Sequence, residues 1–231
     1  FIKKMLVNAS QIQYVTKYEH IESEKFIGNS FNDIFYMPNI LKQNNKSIYK
    51  DKDENKLIFI GRPDPVKNIE FMIECFLEAL KINDKLELYI ICERDDYLIN
   101  IENTYKHNSI IFKGYLSREK VQDELNSSSV LLLFSKAENF SMTVLEAINN
   151  DVYPVISLEL GISDYFVDYL GGLIDINDDK KMIARIIASS ILKCKTNSFC
   201  NAKKEFMLKL NPQNIVNKFV NELNKAIINE K

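Results

Sequence analysis

Short apolar runs alternate with longer stretches of helical period along most of the chain. KLIFIG (56–61) has no polar alternation and predicts a strand buried on both faces. Asn68 to Ile82 follows, with apolar residues at 69, 72, 73, 76 and 80, the buried face of a helix. LELYIIC (86–92) predicts the next strand and Asp95 to Tyr105 a helix. SIIFKG (109–114) predicts a strand, and Ser117 to Asn126 a helix opened by a good cap residue. SVLLLF (129–134) is another wholly apolar strand, followed by a short helix from Met142 to Asn149. VYPVIS (152–157) and GGLIDI (171–176) complete a set of six strands. Three helices are expected at about 178–194, 198–209 and 212–229, the last opened by Asn211-Pro212. Strands apolar on both faces that alternate with helices specify a parallel sheet covered on both sides. The expected fold class is α/β: a doubly wound, six-stranded parallel sheet with C-terminal helices.

The first forty residues break that rhythm. QIQYVT (11–16) reads as a strand, Lys17 to Phe26 as a helix, and DIFYMP (33–38) as a strand ending at a proline. LKQNNKSIYKDKDEN (41–55) is polar and reads as a linker. Residues 1–40 are therefore expected to be the tail of a preceding domain, 56–210 the main domain, and 211–231 a separate final helix. The chain starts at Phe1 rather than a methionine, which suggests a piece of something longer.

Composition narrows the picture. At 231 residues the chain can bury a sizeable core. Its net charge of −2 gives no reason to expect nucleic acid as a partner. Four cysteines without a C-x-x-C, and only two histidines, suggest no metal site. Two cysteines lie in apolar runs and read as reduced buried thiols, which fits a cytoplasmic protein. No apolar stretch reaches membrane-spanning length.

Ligands of open α/β sheets sit at the carboxyl ends of the strands, so the loops that follow strands carry the chemistry. In GRPDPVKN (61–68), Arg62 and Lys67 bracket two prolines near a helix start, an arrangement suited to a diphosphate. A plain surface loop whose charges pair locally is the alternative. In AENFSMTVLEA (137–147), Glu138 lies just past a buried strand and Glu146 on the helix that follows. The backbone N–H groups of Ser141, Met142 and Thr143 open that helix and can hold phosphate. A carboxylate accepts two hydrogen bonds and so matches a vicinal diol. The spacing of eight between the two acids decides nothing, because Glu70 and Glu78 share it on what reads as a wet helix face. Gly161 to Asp164 either lets backbone approach a ligand or is a simple turn. No glycine-rich phosphate cradle, G-x-G-x-x-G or G-x-x-x-x-G-K-[ST], is present.

Three blocks carry a resemblance. KLIFIGRPDPVKNIEFMIECF resembles the start of the C-terminal half of the retaining GT-B glycosyltransferases of family four. IIFKGYLSREKVQDEL and SKAENFSMTVLEAINNDVYPVIS resemble that family's next two landmarks, in the same order over residues 56–176. FYMPN (35–39) is similar to the stretch before its inter-domain linker. The resemblance implies a Rossmann-like donor-binding half. It implies that Arg62 and Lys67, beside Gly61, hold the diphosphate of a nucleotide-sugar, with the amides of Ser141, Met142 and Thr143 beside them. It implies that Glu146 takes the ribose hydroxyls, that Glu138 faces the donor sugar, that Phe140 belongs to the same nucleotide-sugar site, and that backbone at Gly114 and Tyr115 approaches the base. Arg62, Lys67 and Glu138 are then the catalytic candidates, and Glu138, assigned to the sugar, is expected to leave a bare nucleotide unaffected. Two positions depart from the family pattern: Ser141 stands where glycine is frequent, and ICERDD (91–96) replaces a glycine-rich turn.

The implied activity is sugar transfer with retention from a UDP- or GDP-type donor, without metal or other cofactor, in bacterial surface polysaccharide or glycolipid synthesis. The acceptor glycan or glycolipid would sit against a missing N-terminal domain, with peripheral membrane association of the whole protein and no transfer by this piece alone. Two rivals share the architecture: a sugar-nucleotide epimerase and a non-catalytic nucleotide-sugar-binding module.

Overall fold

The computed structural model describes residues 2–31, 33–40 and 52–229. Its centre is a six-stranded, wholly parallel sheet built from β3 (Asp53–Ile60), β4 (Glu87–Ile91), β5 (Ile110–Phe112), β6 (Ser128–Leu133), β7 (Tyr153–Ser157) and β8 (Gly172–Ile174), in the order β5-β4-β3-β6-β7-β8. The chain winds outward from β3 in one direction, returns to the centre, and winds outward from β6 in the other. The helices between strands are α3 (Ile69–Leu80), α4 (Asp96–Thr104), α5 (Arg118–Ser127) and α6 (Met142–Asn149). After β8 come α7 (Lys180–Ser190), a single helical turn at Lys193–Lys195, α8 (Asn197–Lys209) and α9 (Pro212–Asn229). Every residue of β6 is buried, as expected of a strand without polar alternation. α3 turns Ile69, Met72, Ile73, Phe76 and Ala79 into the core and packs against α7.

Two boundaries and one added helix differ most from the sequence reading. β3 starts at Asp53, so the last residues of the expected linker, 53–55, are strand. Asp53 pairs with Ser128, and Ser129 Oγ donates to the Asp53 carbonyl (2.6 Å). The strand is polar there because it has run past the apolar core. The rest of that linker, 41–51, lies outside the described residues. The helix expected over 178–194 stops at Ser190. A helix at Ile2–Val7 (α1) was not expected.

The N-terminal segment forms a small parallel β-α-β unit: β1 (Ile12–Tyr14), α2 (Lys17–Ile27) and β2 (Ile34–Tyr36). Thr16 caps α2, and Gly28 closes it in the left-handed conformation that glycine allows. This unit sits beside the carboxyl end of β6. Thr16 Oγ1 donates to Asn139 Oδ1 (2.6 Å), and Lys17 N–H donates to Asp164 (3.1 Å). α9 reaches the same unit through Phe219, whose ring lies 6.2 Å from that of Phe35, and through Lys218 Nζ, which donates to the Tyr36 carbonyl (3.0 Å).

Candidate functional site

The sheet order makes β3 and β6 neighbours although the chains leaving them turn opposite ways, and a cleft opens where they diverge. It encloses about 490 Å3 over the carboxyl ends of β3, β4 and β6. Of the residues singled out in the sequence, Gly61, Arg62, Lys67, Tyr115, Glu138, Phe140, Ser141, Met142 and Thr143 line it; Gly114 and Glu146 do not. The apolar floor comes from strand-end residues such as Ile60, Ile91 and Leu133, and from Cys92. Burial pushes the Cys92 thiol up to about 12, so it lines the cleft uncharged.

The loop after β3 is shaped by Asp64 and its prolines. The Asp64 carboxylate accepts from Val66 N–H (2.9 Å) and caps a single turn at Pro65–Lys67. Asn68 then takes a left-handed conformation, φ 55°, and α3 begins. Lys136 N–H donates to the Val66 carbonyl (2.8 Å), which ties this loop to the one after β6. Lys67 is thereby aimed across the seam. Its Nζ donates to Glu138 Oε2 at 2.7 Å, with the two side chains only 12% and 21% exposed. This pairing was not expected; the two residues were assigned to different parts of a ligand. Arg62 is exposed and makes no ion pair among the described residues.

Glu138 is held from behind. Its carbonyl accepts from Gly161 N–H (2.9 Å), and its backbone bridges to Leu160. Gly161 is more than a turn residue. A Cβ there would meet the Asn139 carbonyl at 2.2 Å and Thr16 Oγ1 at 2.6 Å, so its bare backbone admits the N-terminal unit, not a ligand. Ser141 is buried and caps α6, its Oγ accepting from Val144 N–H (3.4 Å). A serine where glycine is frequent is thus used as a cap. Ser141, Met142 and Thr143, at the amino end of α6, line the cleft, where the helix dipole favours an anion.

Glu146 lies one turn further along α6, half-buried and without a hydrogen-bond or ion-pair partner among the described residues. Burial raises its carboxyl above the ordinary value, and Arg118 offsets part of that. Gly114 has φ 70° and sets the path of Tyr115, whose side chain is 80% exposed at the rim. Glu70 and Glu78 lie on α3; Glu78 pairs with Lys81 on the surface (2.5 Å), as a wet face predicts. Among the described residues no group of three or more His, Cys, Asp or Glu converges to hold a metal, and no helix is long and apolar enough to cross a membrane.

Residues 42–205 match the family model described as "Glycosyl transferases group 1". No curated protein matches. Solved structures share the fold. TarM from S. aureus, crystallised as a variant with fondaparinux, alpha-GlcNAc-glycerol and UDP, superposes with a TM-score of 0.79 at 18% identity, over 96% of this chain and 45% of that one. The pneumococcal O-GlcNAc transferase GtfA, crystallised with UDP and GlcNAc, gives 0.70 at 17%, over 95% and 46%. A UDP-forming trehalose-phosphate synthase from Burkholderia xenovorans gives 0.74 at 11%, over 98% and 63%. The chain therefore spans about half the length of the first two.

Proposed function

This chain belongs to the glycosyl transferases group 1 family, and we propose that it is the donor-binding half of a retaining glycosyltransferase. The observation that carries the proposal is the convergence of Arg62, Lys67, Glu138 and the amino end of α6 on one cleft at the switch point of the sheet. Two cations and a helix N-terminus suit a diphosphate. Glu146, beside them and without a partner, suits the two hydroxyls of a ribose. UDP in the TarM and GtfA crystals supports a nucleoside-diphosphate donor.

Transfer breaks the bond between sugar and diphosphate, and negative charge grows on the leaving oxygen. Arg62 and Lys67 stabilise that charge, and loss of one such preorganised donor costs roughly 100- to 1000-fold in rate. Glu138 meets the sugar at the open side of the cleft. Retention, an acceptor glycan or glycolipid held by a further domain, and a place in surface polysaccharide or glycolipid synthesis complete the proposal. They rest on the family resemblance.

Calorimetric titration tests the phosphate assignment. Arg62→Ala and Lys67→Ala should each weaken nucleoside-diphosphate binding roughly 10- to 100-fold, the loss of a charge-assisted hydrogen bond. Binding of the corresponding nucleoside should stay within about twofold. Equal losses for both ligands would reduce the loop to a structural element.

A further inference from the structure

The turn after β4 reads Glu93-Arg94-Asp95-Asp96, four charges where a nucleotide-binding turn commonly carries glycine. The structure accounts for three of them. Arg94 is drawn away to an ion pair with Glu102. Asp95 caps α4, accepting from Leu98 N–H (2.8 Å). Asp96 sits in the first turn of α4, where an acid suits the helix dipole. Glu93 alone of the four lines the cleft, and it has no hydrogen-bond or ion-pair partner among the described residues.

Its position in the sheet order matters. The cations and the α6 amides lie at the β3–β6 seam, so phosphates belong there. β4 and β5 lie beyond β3 on one side only. A nucleotide with its phosphates at the seam extends its base over the ends of β4 and β5. There the walls are Leu116, Val121 and the ring of Tyr115, apolar surfaces suited to a flat heterocycle. Among the described residues that line that end of the cleft, Glu93 alone is charged.

We propose that Glu93 makes this site selective for guanine, so that the donor is a GDP-sugar. The inference rests on the donor-site reading above. A carboxylate offers two acceptor oxygens and no donor. Guanine presents two parallel donors on one edge, N1–H and the exocyclic amine, and pairs with both oxygens. Uracil presents a single N3–H flanked by two carbonyl oxygens, which the carboxylate repels. Adenine and cytosine each place an acceptor nitrogen beside their amine. Only guanine satisfies the carboxylate with two charge-assisted bonds. The assignment sets this chain apart from TarM and GtfA, whose crystals hold UDP.

The test is calorimetry with GDP, IDP, UDP and ADP on the wild type, Glu93→Gln and Glu93→Ala. IDP is guanine's analogue without the exocyclic amine. The wild type should bind GDP roughly 10- to 100-fold more tightly than UDP or ADP, with IDP between. Both variants should bind GDP, IDP and UDP within about threefold of one another, and their melting temperatures should match the wild type because Glu93 is exposed. A wild type that binds UDP as tightly as GDP, or a GDP preference that survives in both variants, would overturn the role of Glu93 and leave the donor site standing. Binding of none of the four would remove the donor-site reading itself, and the guanine assignment with it.

Discussion

Replacing Glu138 by glutamine should tighten binding of a bare nucleoside diphosphate. Lys67 Nζ and Glu138 Oε2 are 2.7 Å apart in the ligand-free protein, and neither side chain is more than about a fifth exposed. At that separation and an effective dielectric of about 20, the Coulomb attraction is roughly 6 kcal/mol. Desolvation offsets most of it, leaving a net contribution of about 1.5–3 kcal/mol for a charged hydrogen bond. A diphosphate has to compete with Glu138 for the same ammonium group. Glutamine removes the competing charge, and if about 1–2 kcal/mol of the pairing is released to the ligand, affinity rises about 5- to 30-fold. Calorimetry with GDP and UDP at roughly 0.15 M salt measures this. Glu70→Gln, an exposed acid in the first turn of α3, controls for the general loss of a negative charge. In a Lys67→Ala background the Glu138→Gln effect should largely disappear, which isolates the pair. A nucleotide-sugar should gain little, because the glutamine also forfeits a contact to the sugar. Unchanged or weaker diphosphate binding by Glu138→Gln would refute the competition and restore the simpler division in which Glu138 serves the sugar alone.

Four other outcomes follow from the same geometry. Glu146 has a carboxyl raised above 4.5 by burial, so the native protein keeps a proton that the unfolded chain has released, and stability falls as pH rises from 4.5 through the native value. Glu146→Gln should therefore raise the melting temperature at neutral pH, flatten the stability profile over the mildly acidic range, and weaken nucleoside-diphosphate binding; a lower melting temperature would contradict the burial argument. Gly161→Ala places a methyl 2.2 Å from the Asn139 carbonyl and should cost about 1–3 kcal/mol in urea melts. Ser141→Ala removes the α6 cap and should cost about 1 kcal/mol, yet change diphosphate binding less than threefold, since the backbone amides at the amino end of α6 remain. This chain should bind nucleoside diphosphate but transfer no sugar in a radiolabelled-donor assay, because alignment of an acceptor and exclusion of water need a second wall to the cleft.

Much of this was legible in the chain. β6 is buried along its whole length, and the apolar stretches of β3 (Leu57–Ile60) and β7 lie beside it, as a sheet covered on both faces requires. Ser117 and Ser141 marked helix starts because their hydroxyls compete for backbone N–H groups, whereas Thr16, read as the end of a strand, proved to cap α2. Asp53–Asn55 was misread because a strand's outer end needs no apolar side chains. The meeting of Lys67 and Glu138 was not legible: they are 71 residues apart, in loops whose adjacency depends on β3 lying beside β6. Gly161 was ambiguous for a related reason, since what it admits belongs to a distant segment. Glu93 could have been noticed as an acid just past a strand end. Only the pairing of Arg94 and the capping by Asp95 single it out from its charged neighbours.

The winding order also has a consequence for how the protein opens and closes. β3, β4 and β5 are consecutive in the chain, and so are β6, β7 and β8. Each trio assembles through local crossovers, whereas the β3–β6 ladder joins segments that are far apart and carries the loop-closure entropy. Arg62, Lys67 and Glu93 belong to the first trio, Glu138 and the α6 amides to the second. A nucleotide bound as proposed would be a suture between the two trios. Its binding free energy adds to the least local joint of the sheet. Under the proposed function, loading should slow hydrogen exchange along whole strands on both sides of the seam, at amides that the ligand does not touch.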